Sequence, residues 1–393
     1  MDRRRLLATA SATMAAGLAS HARAYTGTVQ EHISSTEFKQ AHYVRFPELD
    51  TESQLDFNAG FFRPLKEYAG AEAHPERVAF LKKAGYDLGP TDKTYEECHN
   101  IMMQDPGYAA YIRLTRTIHE HMWARALAGI EKHADMYMSA MEASDKMGPG
   151  SLELNPKITV PEYAQHEIHE QPGGYVGHPF AGQLYHYAMV KAFYHGLADG
   201  PVQHDERNQI MVAGWETPPD GEIKRILEVG CSHGSTAISL RERFHDPSIE
   251  VWALDIGGPQ VRYAHSRAVG MGHTIHWVQR LAEDTGFPDG YFDMIGINLI
   301  FHELPQFATK KIVPELARIT RPGGVWVGDS SGSGGDFKQN GTIINKAKTW
   351  VNHRFNNEVW EVQNLQNDFP TMRKDAGWKS VTGPKGKPLT VKA

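Results

Sequence analysis

The chain has 393 residues, of which 40% are hydrophobic and 22% charged. That balance excludes a chain too polar to build a core and a membrane protein of many spans. The formal net charge of −6 gives no bulk attraction to nucleic acid or anionic lipid, and only two cysteines, Cys98 and Cys231, exclude a disulfide scaffold or a Cys-rich zinc module.

The amino end reads as an address. Arg3, Arg4 and Arg5 precede an apolar run over 6–19, too short to span a membrane, and Ala22-Arg23-Ala24 follows as an A-x-A cleavage site. Residues 1–24 are therefore expected to be an export signal. The arginines before Leu6 and Leu7 resemble a twin-arginine signal, whose cargo crosses the membrane already folded. The expected location is periplasmic; the alternative is cytoplasmic.

Residues 25–220 read as a mainly helical domain. Asp105-Pro106 is a cap and first-turn pair, and an amphipathic run through Ile118, Met122 and Ile130 follows until Met147-Gly148-Pro149-Gly150. Another helix is expected over 180–195, after the Gly173-Gly174 break. The Pro/Gly cluster at 217–221 marks a boundary. Beyond it, over 221–393, short β-rich runs at 225–229, 249–254, 294–299 and 324–327 alternate with helical stretches. This is the pattern of an α/β fold, a parallel sheet covered by crossover helices.

The chemistry-bearing constellation opens this second domain. Residues 226–229 form an apolar strand that runs into Gly230-Cys231-Ser232-His233-Gly234, and a helix is expected from Ser235. In an open α/β sheet the first strand-to-helix turn lets a nucleotide-like ligand approach the backbone, because small residues leave room. The next strand ends in Asp255, where a carboxylate can accept bonds from ribose hydroxyls. The turn is not G-x-G-x-x-G, and Glu228 would repel a pyrophosphate while suiting a cationic amino acid moiety; no Walker A lysine pattern occurs either. Cys231 is expected to be a packed small residue and not a nucleophile.

On these residues the chain resembles the class I S-adenosylmethionine-dependent methyltransferases of the small-molecule type. The resemblance covers about 223–330. It rests on residues 227–234, on Asp255 and Ile256, on Ala282-Glu283-Asp284 followed by 287–293, on Asn298 to Leu304, and on Arg321-Pro322-Gly323-Gly324. Ser232 stands where the family more often has glycine. The resemblance implies a Rossmann-like doubly wound sheet with a reversed carboxyl-terminal hairpin, expected at 379–382 and 388–391. It implies S-adenosyl-L-methionine as cofactor. Glu228 would lie near the methionyl end and Gly230, Ser232 and Gly234 against the cofactor, with Asp255 on the ribose, Ile256 beside the adenine, Ala282 and Glu283 toward the adenine edge, and Asn298 at the end of the fourth strand.

The methyl donor is already activated, so the chain must mainly align the acceptor and exclude water. Where a base is useful, His302 and Glu303 are the expected candidates. No Asn-Pro-Pro-aromatic or Asp-Pro-Pro-aromatic string sits at the fourth strand and no Pro-Cys dipeptide occurs. With the acidic balance, the expected partner is a small-molecule acceptor, with no nucleic acid and no stable membrane span. A helical insertion over 336–360, with Trp350 and His353, and the helical domain could together cover the acceptor site. His119, His121, His166 and His169 read as scattered solvated histidines, since no H-E-x-x-H or Cys-His spacing accompanies them, and no metal site is expected. Two alternatives stand: a catalytically silent cofactor-binding protein on the same fold, and a histidine-ligated exported metalloprotein. Neither the acceptor nor the oligomeric state is legible.

Overall fold

The computed structural model describes residues 46–69, 75–195, 206–328, 341–384 and 386–393. The export signal expected over 1–24 lies outside the described residues, as does 336–340 of the expected insertion.

Short, apolar, β-rich runs separated by helices can bury both faces only as a parallel sheet, and that is what they form. Strands β2 (Arg225–Val229), β3 (Glu250–Asp255), β4 (His276–Gln279), β5 (Phe292–Ile297) and β6 (Thr320–Gly328) run parallel. Ser151–Glu153, β1, lies within the segment expected to be helical and pairs parallel with β4 as an edge. The last two strands, β7 (Trp378–Thr382) and β8 (Pro388–Lys392), form the reversed hairpin, with β8 antiparallel to β6. The strand order is β1-β4-β3-β2-β5-β6-β8-β7. The chain leaves β2 toward β3 on one side and resumes with β5 on the other, which makes the β2/β5 border the topological switch point.

Alternation within each strand divides the core in two. Ile226, Val251, Ala253, Met294 and Val325 face one cluster, whereas Leu227, Val229, Leu254, Ile295, Ile297 and Trp326 face the other. Each fully buried aliphatic side chain stabilises the sheet by roughly 1.5–3 kcal/mol relative to exposure. The bulged start of β6 is pinned by charge. Arg321 donates to Asp293 and Asp220, and the second Asp293 oxygen accepts from the Lys224 and Arg225 N–H groups.

The helical region packs onto the same layer. Helices Leu49–Ala69 and Pro106–Lys132 share a core with the segment 180–192 and with Tyr263 of the sheet helix Gly258–Met271. Asp105 caps the helix that follows it, donating nothing and accepting from Gly107 N–H at 3.1 Å. That helix ends at His133, and a second one, Ala134–Ser144, follows before the Gly-Pro stop. Residues 181–195 are helical as expected, but from Tyr185 onward the winding is π. A second cap cluster joins helices Pro75–Lys83 and Tyr95–Met102 to Ile343–Phe355, so the later insertion folds against the early helices. Among the described residues no helix is long and apolar enough to cross a membrane.

Candidate functional site

The turn after β2 is built around left-handed backbone. Gly230, Ser232 and Gly234 have φ of 75°, 47° and 91°. The Gly230 and Cys231 N–H groups donate to Leu254 O at 2.8 and 3.0 Å, which fastens the turn to the neighbouring strand. A Cβ on Gly234 would stand 2.7 Å from Trp277 and 2.8 Å from Ala264, both buried and unable to retreat.

Asp255 closes the turn from the side. Its Oδ2 accepts from Ser232 N–H and its Oδ1 from Gly257 N–H, each at 2.8 Å. Burial pushes its carboxyl up to about 6, the two N–H bonds pull against that, and the Glu303 charge adds to the rise.

A cavity of about 450 Å³ opens over the carboxyl ends of β2 and β5, where the topology places ligands in such sheets. Glu228, Gly230, Ser232, Asp255, Ile256, Ala282, Glu283 and Asn298 all line it, as do His302 and Glu303. Gly234 does not; it supports the turn from behind against Trp277. Glu228 is buried, and burial holds its carboxyl well above the usual range although Thr236 and the Ala237 N–H donate to it. Its Oε2 and the Ser232 hydroxyl are buried with no hydrogen-bond partner. Such orphaned polar atoms beside a small-residue turn suit a ligand that brings its own donors. Asn298 donates to the Thr236 hydroxyl at 3.2 Å, and Glu283 accepts from the Tyr163 hydroxyl.

The opposite wall holds groups that sequence reasoning did not assemble. His169 is 2% exposed, far from the solvated state expected of it, and sits at φ 55°. Its Nε2 is 3.4 Å from Glu303 Oε1, and its Nδ1 is 2.9 Å from the Asn356 amide nitrogen and 3.4 Å from Glu358 Oε1. Burial alone would lower its pKa, but the bond to Glu303 and the charges of Glu358 and Glu303 outweigh it and hold the imidazole above the ordinary value. Glu303 moves the other way. Burial raises it, while His169, the His302 charge and the Tyr175 hydroxyl at 3.2 Å bring it below the usual range. His302 Nε2 stands 3.8 Å from Glu303 and 3.9 Å from Glu358. The two sequence-predicted base candidates thus share one cluster with His169 and Glu358.

Within the region expected to be helical, His169 falls in the short 3-10 turn Ile168–Glu170 with left-handed backbone, and His166 lies between that turn and Glu162–Ala164, outside any helix. Among the described residues no group of three or more His, Cys, Asp or Glu is placed to hold a metal ion. Cys231 is buried in the turn, and burial pushes its thiol well up; both cysteines are free. From the helix Ile343–Phe355 it is Asn352 that reaches the cavity, and not Trp350 or His353, whose rings meet each other tilted at 41° with centroids 5.6 Å apart.

Residues 226–324 match the family described as "Methyltransferase domain". The chain is similar to a fatty-acid O-methyltransferase of Mycolicibacterium smegmatis, 34% identical over 32% of this chain and 44% of that one. It is also similar to a tRNA N(3)-cytidine methyltransferase of Mus musculus, 25% identical over 30% of this chain and 31% of that one. A solved phosphoethanolamine N-methyltransferase of Haemonchus contortus, in complex with S-adenosyl-L-methionine, aligns over 45% of this chain and 39% of its own, with 16% identity and a TM-score of 0.31. The chain spans less than half the length of either curated relative. The family likeness is confined to residues 226–324.

Proposed function

We propose that the whole chain transfers a methyl group from S-adenosylmethionine to a small-molecule acceptor. The observation that carries this reading is one cavity that joins the β2 turn, with its orphaned Glu228 and Ser232 oxygens, to a buried His–Glu cluster on the covering segments. When bound, S-adenosylmethionine supplies a methyl group already activated on a sulfonium. Asp255 is assigned to the ribose hydroxyls, and Glu228 with the Gly230–Ser232 turn to the cationic amino acid end. Ile256, Ala282 and Glu283 are assigned to the adenine side, and Asn298 to the border between donor and acceptor. His302 or Glu303 takes a proton from the acceptor where the attacking atom carries one. The covering helices exclude water and fix the approach.

A small acceptor is favoured over a nucleic acid because the site is a walled cavity and the chain is acidic. Titration of S-adenosylhomocysteine into the full chain is expected to give saturable one-to-one heat, and the absence of any such heat overturns the assignment. Binding without product release on any acceptor panel would instead favour a silent binding protein.

For the amino end, we propose export through a twin-arginine signal, the cofactor leaving with the folded chain. Residues 1–24 fused to a folded reporter are expected to send it out of the cytoplasm, and Arg3→Lys with Arg4→Lys to keep it inside. A reporter that stays cytoplasmic with both arginines intact speaks for the cytoplasmic alternative.

A further inference from the structure

The charge of the acceptor can be read from the cavity wall. Among the described residues that line the cavity there is no lysine or arginine. Glu303, Glu358 and Glu361 reach it from separate turns of the chain, one after β5 and two after the helix Ile343–Phe355. Glu361 Oε2 is buried without a hydrogen-bond partner, and burial together with the Glu358 charge raises its carboxyl, while the exposed Lys348 acts on it from outside the lining. Tyr163, Tyr175 and Tyr185 add aromatic surface, the last two ring against ring at 5.5 Å and 85°.

Glu303 and Glu358 face His169 and His302, and Glu361 adds a third carboxyl that burial and the Glu358 charge hold up to about 8, so the wall is short of positive charge and an arriving cation would draw the Glu361 proton off. A carboxylate or phosphate on the acceptor would be desolvated beside like charges with no lysine or arginine to meet it, the His169 imidazole being already taken up by Glu303 and Glu358. An alcohol would supply one donor. An ammonium supplies three donors and a full charge, and it is attracted to tyrosine faces.

We propose that this wall is an ammonium subsite and that the acceptor is an organic amine, which gives one proton to Glu303 or His302 before its nitrogen lone pair takes the methyl group and the donor's C–S bond breaks to leave S-adenosylhomocysteine. The assignment of the amine as acceptor rests on the methyltransferase reading above; the subsite itself does not. It also sets this chain apart from a relative named for fatty acids, whose carboxylate this wall would repel.

The test is calorimetry on the full chain, with and without saturating S-adenosylhomocysteine, using 2-phenylethylamine, 2-phenylethanol and 3-phenylpropionate as probes of similar size and different charge. The amine is expected to bind tighter than the other two by about tenfold or more. Glu358→Gln and Glu361→Gln are each expected to weaken the amine about fivefold or more while leaving the alcohol and S-adenosylhomocysteine unchanged. Glu361 is only partly buried, so its variant carries the test if Glu358→Gln fails to fold, with thermal unfolding as the check. An amine that binds no better than the carboxylate, or variants that fold and keep full amine affinity, overturn the proposal. Amine selectivity in a chain that ignores S-adenosylhomocysteine would sink the methyltransferase reading and keep the subsite; cofactor-product binding without amine selectivity would do the reverse.

Discussion

Asp255→Ala is expected to weaken S-adenosylhomocysteine binding by about two orders of magnitude, the sum of two charge-assisted hydrogen bonds of roughly 1.5 kcal/mol each. Both carboxylate oxygens already hold the turn through Ser232 and Gly257 N–H at 2.8 Å. The substitution therefore also strands two buried donors, which costs about 1–3 kcal/mol apiece in stability. Leu389→Ala, in β8 and outside the cavity lining, separates the two effects. It should lower the unfolding temperature and leave the affinity intact. Equal affinities for wild type and Asp255→Ala would remove this residue from the cofactor site.

The same carboxyl predicts a pH dependence with a definite sign. Its folded pKa, near 6, lies above the unfolded value because burial disfavours the charge. Its contribution to stability is therefore complete at acid pH and lost as pH rises through about 6. With Asp255 assigned to the ribose as proposed, ligand binding would run the opposite way, since only the ionised form would accept from both hydroxyls. Affinity should fall as pH drops from 7 to 5, and binding near pH 6 should release a proton, readable as a heat that depends on the buffer.

The part of the site legible in the sequence is the part that is contiguous. Glu228, Gly230, Ser232 and Asp255 fall on one strand, one turn and the next strand end, and the local rules of the βα turn suffice to bring them together. Gly234 illustrates the limit of such reading, because the same glycine pattern lines the cavity at one end and packs against Trp277 at the other. The His169 cluster was illegible for a different reason. Its members come from the helical region, from the end of β5 and from the carboxyl-terminal segments, and no periodicity links them. Nothing in His166-Glu167-Ile168-His169 announces the left-handed backbone that turns His169 inward from the solvated state expected of it.

Fold errors have equally local causes. Strand β4 is only four residues long and β1 three, too short for alternation to register, and the break at His133 carries neither glycine nor proline. In the π winding after Tyr185, Tyr187, Ala188, Met189 and Val190 are buried in succession, so the run carries no periodicity that separates π from α winding.

His169→Ala should be the most destabilising single change in the acceptor wall. Removing one partner of a buried ionic group costs about 3–5 kcal/mol, because the charges left behind have lost both water and counter-charge. Here Glu303 and Glu358 would face each other across the vacated space. The bulk of the loss is electrostatic, so His169→Gln, which keeps a hydrogen-bonding side chain without the charge, should fall short of the full penalty in restoring nothing more than part of it. The pH profile distinguishes this from a simple cavity effect. With its folded pKa above the unfolded value near 6.5, the histidine's contribution is whole below about 6.5 and fades as pH rises through the folded value. The gap in unfolding free energy between wild type and His169→Ala, measured by denaturant titration, should therefore narrow steadily above neutrality. A gap that stays level from pH 6 to pH 9 would mean that His169 stands neutral between its carboxylates and that packing alone accounts for the loss.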